Sequence, residues 1–105
     1  MRRHATWLFA IACLASPAFA QDVQAGRQKA AACATCHGPL GLSTTPDAPN
    51  LAGQPAEYVR AQLKAYRGGT RQHEVMSLMA KPLSDADIDN LAAWFASLKV
   101  QVVPP

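Results

Sequence analysis

The sequence is short of most of what an ordinary domain is built from. No apolar run is long enough to cross a bilayer: Trp7 to Ala15 stops far below the roughly 20 residues a spanning helix needs. No block of like charge occurs, so a polybasic nucleic-acid surface is excluded. No internal repeat and no linker divides the chain, which leaves room for one domain. No alternating strand pattern is present ahead of the cysteine pair near the chain's first third, so a βαβ arrangement is not expected there. Cysteine is scarce at three residues, too few for the disulfide framework of a small exported scaffold.

The N-terminus carries the first positive signal. Arg2 and Arg3 precede the short apolar run, and Ala18-Phe19-Ala20 supplies small residues at a cleavage site. This is the pattern of an export signal, expected to be removed after residue 20. A retained anchor is disfavoured by the length of the run. Lipidation at Cys13 is disfavoured by Ala10-Ile11-Ala12, which lacks the preferred Leu. Cleavage would leave residues 21–105 as the working domain. It would also remove Cys13 and two arginines, leaving eight basic side chains against seven acidic ones. The basic balance of the full chain is therefore mostly leader.

The remaining cysteines stand in Cys33-Ala34-Thr35-Cys36-His37. C-x-x-C-H is the attachment signature of c-type haem. Two thiols one helical turn apart suit addition to two vinyl groups of one macrocycle. The His that follows then lies beneath the iron as the proximal ligand. A disulfide across so small a loop would do little for stability. A catalytic dithiol normally follows a strand. A structural zinc site needs four ligands, and a second Cys pair is missing. Covalent haem with its iron is the reading that uses all three side chains.

The rest of the chain reads as all-α. Residues 22–33 form a short Ala-rich helix in which Gly26 and Ala30, four apart, make one face small enough for a close helix approach. Gly38 to Gln54 is punctuated by Gly and Pro and is too long for an idle loop, so it is expected to wrap the cofactor. Leu40 and Leu42 within it either rim an exposed haem edge or pack in the pocket. Pro55 opens a second helix at its first position, with an apolar stripe at Val59, Leu63 and Tyr66, and Gly68-Gly69 stops it. Residues 70–82 are irregular or carry one helical turn. The last helix starts at Ser84-Asp85-Ala86-Asp87 and buries Ile88, Leu91, Ala92, Phe95 and Leu98. The tail Val100 to Pro105 is apolar and either covers the core or meets a partner, packing being the favoured use. Three main helices and long connections leave little conventional core, and a haem would act as a staple.

A second iron ligand must come from the C-terminal half. His73 sits in a polar stretch and reads as solvated. Met76 and Met79 are three apart, so on a helical turn either could reach the iron. Spacing does not choose between them.

The ordered set Cys33 to Pro39, Pro49 to Gln54, Met76, Leu83-Ser84-Asp85 and Leu91 to Phe95 resembles the class I c-type cytochromes, in particular one half of a dihaem cytochrome of the c-four type. The resemblance implies a small cytochrome c fold around one haem c. It implies Met76 as the axial partner of His37, with Met79 lining the pocket. It implies that the Pro49 carbonyl accepts the Nδ1–H of His37, and that the first and last helices cross at Gly26 and Ala30 against Leu91 and Trp94. Trp94 departs from the commoner Tyr and brings an indole N–H that needs a partner. The function implied is one-electron transfer in the periplasm, without enzymatic chemistry of its own and with transient redox-protein donors and acceptors. The alternative is a haem subunit of a larger periplasmic dehydrogenase. A gas-binding haem and a thiol–disulfide enzyme are further alternatives.

Overall fold

The computed structural model describes Met1 and residues 21–105. The expected leader, residues 1–20, lies outside the described residues apart from Met1.

Every regular element among the described residues is helical. Asp22 begins the first, its carboxylate accepting from the N–H groups of Gln24 and Ala25 at 2.9 and 3.0 Å. Helix α1 (Val23–Lys29) tightens into a 3-10 stretch over Ala30–Cys33, then resumes as α2 (Ala34–His37). The expected helix thus runs four residues further than its Ala-rich pattern suggested and carries the whole C-x-x-C-H motif. Helix α3 (Ala56–Gly68) starts one residue later than expected: Pro55 is its cap, with ψ 135°, and its carbonyl accepts from Val59 N–H at 3.1 Å. Gly69, at φ 87°, ends it in the left-handed conformation that only glycine adopts without strain. Helix α4 (Met76–Ala80) is the short turn expected in the irregular stretch. Helix α5 (Asp85–Ser97) opens with a reciprocal capping box, in which Asp87 stands where Glu or Gln is usual.

Helix α5 is the spine. Helices α1 and α3 both pack on it, and α4 packs on α3. The core joins Ala30, Val59, Leu91, Ala92, Trp94 and Phe95, with Cys33, Leu51, Leu63 and Leu83 against its edge. At the α1–α5 crossing Gly26 is buried, and the backbones approach so closely that a Cβ there would lie 2.0 Å from the Asn90 carbonyl oxygen. Asn90 also accepts from Asp22 N–H at 2.9 Å, so the crossing has a polar latch. The expected crossing partners Leu91 and Trp94 are in place, with Asn90 added.

The tail departs from expectation. Val102 and Val103 are 85% and 80% exposed, so they do not pack into the core of the described residues. Val100 alone reaches back, to the loop at Gly53. The physical reason is α5's extended exit at Leu98, which directs the chain off the core.

Candidate haem site

Cys33 and Cys36 are half-buried free thiols on successive turns of the helical stretch that ends at His37. Helical geometry puts positions three apart on one face. Cys33 packs against the core, and burial pushes its thiol pKa up. That is the wrong direction for a redox dithiol, whose attacking sulfur needs a lowered pKa. His37 is buried, and its Nδ1 lies 2.8 Å from the Pro49 carbonyl oxygen. Such a bond puts the ring hydrogen on Nδ1 and leaves Nε2 as the free ligand atom.

The loop that supplies Pro49 is folded by its own polar side chains. Gly38 turns the chain at φ 81°, where a Cβ would strike the Leu42 carbonyl. Thr44 then returns to the end of α2, its hydroxyl donating to the Thr35 carbonyl at 3.0 Å and its N–H to the Cys36 carbonyl at 3.1 Å. These are carbonyls that a helix C-terminus would otherwise leave unpaired. Ser43 N–H donates to Asn50 Oδ1 at 2.7 Å. Leu51 and Ala52 N–H groups both donate to the Gly41 carbonyl, and Gly53 N–H donates to the Phe95 carbonyl of α5. Pro49 is therefore fixed between two anchored segments, and the His37 ring with it.

Met76 is half-buried at the start of α4. Its neighbours Val75, Leu78 and Met79 are exposed, as are Leu40 and Leu42 on the loop after His37. Exposed apolar side chains thus flank both candidate iron ligands, and others stand at Val23, Tyr58 and along the tail from Val100. The donor set fits a covalently held haem: two thiols on one face, one imidazole with a single free nitrogen, a thioether, and apolar flanks. Among the described residues no three His, Cys, Asp or Glu side chains gather to hold an ion by themselves. A broad, open hollow lined by Tyr66, Gln72, His73 and Lys81 lies along α3 and α4 and includes none of the C-x-x-C-H residues.

Two side chains behave unlike their sequence reading. His73 is exposed as expected, yet its ring is hydrogen-bonded to the backbone of Val75 and Met76. The sequence signal, a polar residue three before a helix, is weak for His because it is an uncommon cap. The Trp94 indole N–H is buried with no hydrogen-bond partner among the described residues, and the Arg27 guanidinium lies 5.7 Å from the ring centroid.

The cytochrome c family model matches residues 23–99, nearly the whole described domain. The chain belongs to the cytochrome c family. The family carries covalently attached haem c with its iron, and its members work in electron transfer rather than as catalysts. Cytochrome c-554(548) of Halomonas halodenitrificans is 43% identical over 81 residues, which span 74% of this chain and 98% of that protein. The crystal structure of reduced recombinant cytochrome c4 from Pseudomonas stutzeri superposes with a TM-score of 0.73 at 39% identity, over 79% of this chain and 48% of that one. A thiosulfate dehydrogenase electron acceptor of Stutzerimonas stutzeri is 42% identical over 69 residues, which span 63% of this chain and 32% of that protein. The chain therefore spans one relative almost completely and half or less of the other two.

Proposed function

We propose that this chain is a periplasmic one-electron carrier in which Cys33 and Cys36 hold haem c by thioether bonds and His37 and Met76 ligate its iron. The observation that carries the reading is the 2.8 Å contact between His37 Nδ1 and the Pro49 carbonyl, next to a free thiol pair on one helical face. When bound, the haem supplies an iron that alternates between ferrous and ferric states. The protein's part is to hold both axial groups in place through that change. His37 keeps its orientation because Pro49 and the loop behind it are anchored to α2 and α5. The bond to a carbonyl also makes the ring more basic, which strengthens it as a ligand. Met76 offers an uncharged, soft sulfur that favours the reduced metal and so raises the potential. With both positions filled by side chains, no site is left for a substrate, so the chain shuttles electrons and catalyses nothing itself.

Residues 1–20 serve in this reading as a leader cleaved to give Gln21 as the first residue. Among the described residues no helix is long and apolar enough to cross a membrane. Few charges and a near-neutral balance after cleavage give weak electrostatic steering, so docking to donor and acceptor proteins is small, transient and only modestly salt-dependent.

The test is the optical spectrum of the ferric exported protein beside Met76→Ala and Met79→Ala. Loss of the far-red methionine–iron band in Met76→Ala alone is expected. Survival of the band there refutes the ligand assignment. The intact mass reports the rest: one haem added to a chain beginning at Gln21, with both thiols blocked.

A second reading, a subunit that accepts electrons within a dehydrogenase complex, draws on the thiosulfate dehydrogenase electron acceptor relative and on the exposed Val102 and Val103. Gel filtration from the native source separates the two, since a lone small monomer ends the subunit reading.

A further inference from the structure

Helix α4 has little intrinsic reason to form. It is five residues long, and isolated helices below about 12–15 residues are marginal in water. The connection that delivers it, from Gly69 to Val75, is exposed throughout. Side chains of that connection hold it at both ends. Arg71 ties it back to α3: its guanidinium lies 4.6 Å from the Tyr66 ring centroid, it donates to Gln62 Oε1 at 2.7 Å, and Arg71 N–H donates to the Ala65 carbonyl at 3.1 Å.

His73 ties it forward to α4. The ring Nδ1 accepts from the N–H groups of Val75 and Met76, both at 3.2 Å. The His73 carbonyl accepts from Ser77 N–H at 3.0 Å, and His73 N–H donates to Ser77 Oγ at 3.0 Å. These are the bonds of an N-cap, set on the turn that leads into α4, two residues ahead of the helix's own N-cap position Val75, which makes no side-chain cap bond. A side-chain acceptor serves the second and third N–H groups after it, and the cap carbonyl takes the first i+4 bond. A hydroxyl downstream returns to the cap's own N–H. Nδ1 can accept here because the ring hydrogen sits on Nε2. One of the two captured N–H groups belongs to Met76 itself.

We infer that His73 is a positioning residue for the distal methionine: it caps the turn that leads into helix α4 and so holds Met76 where its ligand role needs it. The inference rests on Met76 as the distal ligand, but its physical content is a statement about the turn into α4. Removing the ring frees two N–H groups in the turn that carries Met76 and leaves the rest of the core untouched. The population with methionine detached then rises about fivefold, the equilibrium factor of an average N-cap.

The experiment uses the exported holoprotein with His73→Ala, His73→Asn and Met76→Ala. Carbon monoxide binding to the ferrous form and the far-red ferric band report methionine detachment. Amide exchange at Val75 and Met76 reports the cap without reference to any ligand. For His73→Ala, carbon monoxide is expected to bind about fivefold faster, with a weaker band and faster exchange at those two amides. Asn is among the best capping residues, so His73→Asn should return all three to within about twofold of the parent. An unchanged carbon monoxide rate in His73→Ala, or failure of His73→Asn to restore it, overturns the inference. Met76→Ala keeps the two ideas apart: a band that survives there refutes the ligand assignment, while the exchange data still decide whether His73 caps the turn into α4.

Discussion

Gly26→Ala is the substitution in which this fold contradicts helix propensity most sharply. In a solvated helix Ala is better than Gly by roughly 1 kcal/mol. At position 26 the added Cβ would lie 2.0 Å from the Asn90 carbonyl oxygen, 2.6 Å from its carbon and 2.9 Å from Trp94 Cβ. Two of these are backbone atoms of α5, which no rotamer change can remove. Ordinary contact requires α1 and α5 to part by more than an ångström along the seam that also carries the Asp22–Asn90 hydrogen bond. Overpacking of this kind costs about 1–3 kcal/mol, and the lost bond adds about 1 kcal/mol. The propensity gain offsets only part, leaving a net loss of about 1–3 kcal/mol. For a domain of this size that is a fall in Tm of at least about 4 °C. Gly68→Ala is the internal control. Gly68 is also helical, but a Cβ there meets nothing within 4 Å, so the same change should raise stability by about 0.4–1 kcal/mol. Thermal unfolding of both holoproteins, followed by far-UV circular dichroism and by haem absorbance, gives the comparison. Two variants shifting the same way would refute the argument from close approach.

The remaining predictions concern the cap, a turn and the orphaned indole. Ser84→Ala removes the hydroxyl that accepts from Asp87 N–H and should cost about 1 kcal/mol in urea unfolding at neutral pH. Asp87 is held below the usual carboxylate range by Ser84 N–H first and then by the Ser84 hydroxyl and Lys29, while partial burial opposes them. Its folded pKa is depressed, so its contribution is complete above the unfolded value near 3.8 and is lost as pH falls through the folded value. Asp87→Asn should therefore be less stable than the parent at neutral pH and converge with it in strong acid. Urea midpoints at the two pH values check this, and a constant gap contradicts it. Gly41→Ala forces a side chain into φ 74° with Ala52 N 2.7 Å from its Cβ, and is expected to loosen the Pro49 anchor, seen as a lowered Tm in thermal unfolding. Trp94→Phe removes a buried N–H that has no partner, so its loss in stability should stay below the about 3–5 kcal/mol of a large aromatic truncation.

The sequence carried the fold wherever a residue type has one physical use. Gly68-Gly69 could only end a helix, and Ser84 with Asp87 could only begin one. The Gly/Pro run from Gly38 to Gln54 could only be a loop. Cys33, Cys36 and His37 point to haem attachment for the same reason, since only one chemistry employs all three at that spacing, and that assignment is the one proposed above. Elements that depend on tertiary partners were less legible. The helix through Cys36 and His37 has no side-chain N-cap, and beyond its Gly38 C-cap it is closed by Thr44, which returns to the Thr35 and Cys36 carbonyls. The exposure of Val102 and Val103 could not be read because apolar composition says what a segment tolerates, not what it meets. His73 escaped because its role lies in one ring nitrogen facing the backbone, which no residue pattern encodes.

The two candidate ligands are held by different physics. His37 hangs from a loop bonded into α2 and α5, beside a core in which Leu91 and Ala92 are fully enclosed. Its ring is buried and its bonding partner is anchored on both sides, so it opens at higher cost than an exposed segment. Met76 sits on five helical residues with exposed neighbours, fastened by Arg71 and His73 through solvent-facing contacts. Such contacts open locally at far lower cost. An electron carrier gains from this division. The proximal side fixes the haem's orientation permanently, as the covalent bonds already require. With Met76 as the proposed ligand, the distal side would set the potential through a group whose retention depends on a few hydrogen bonds. Changes along Arg71 to Ser77 can then retune methionine retention without disturbing the core that folds the chain.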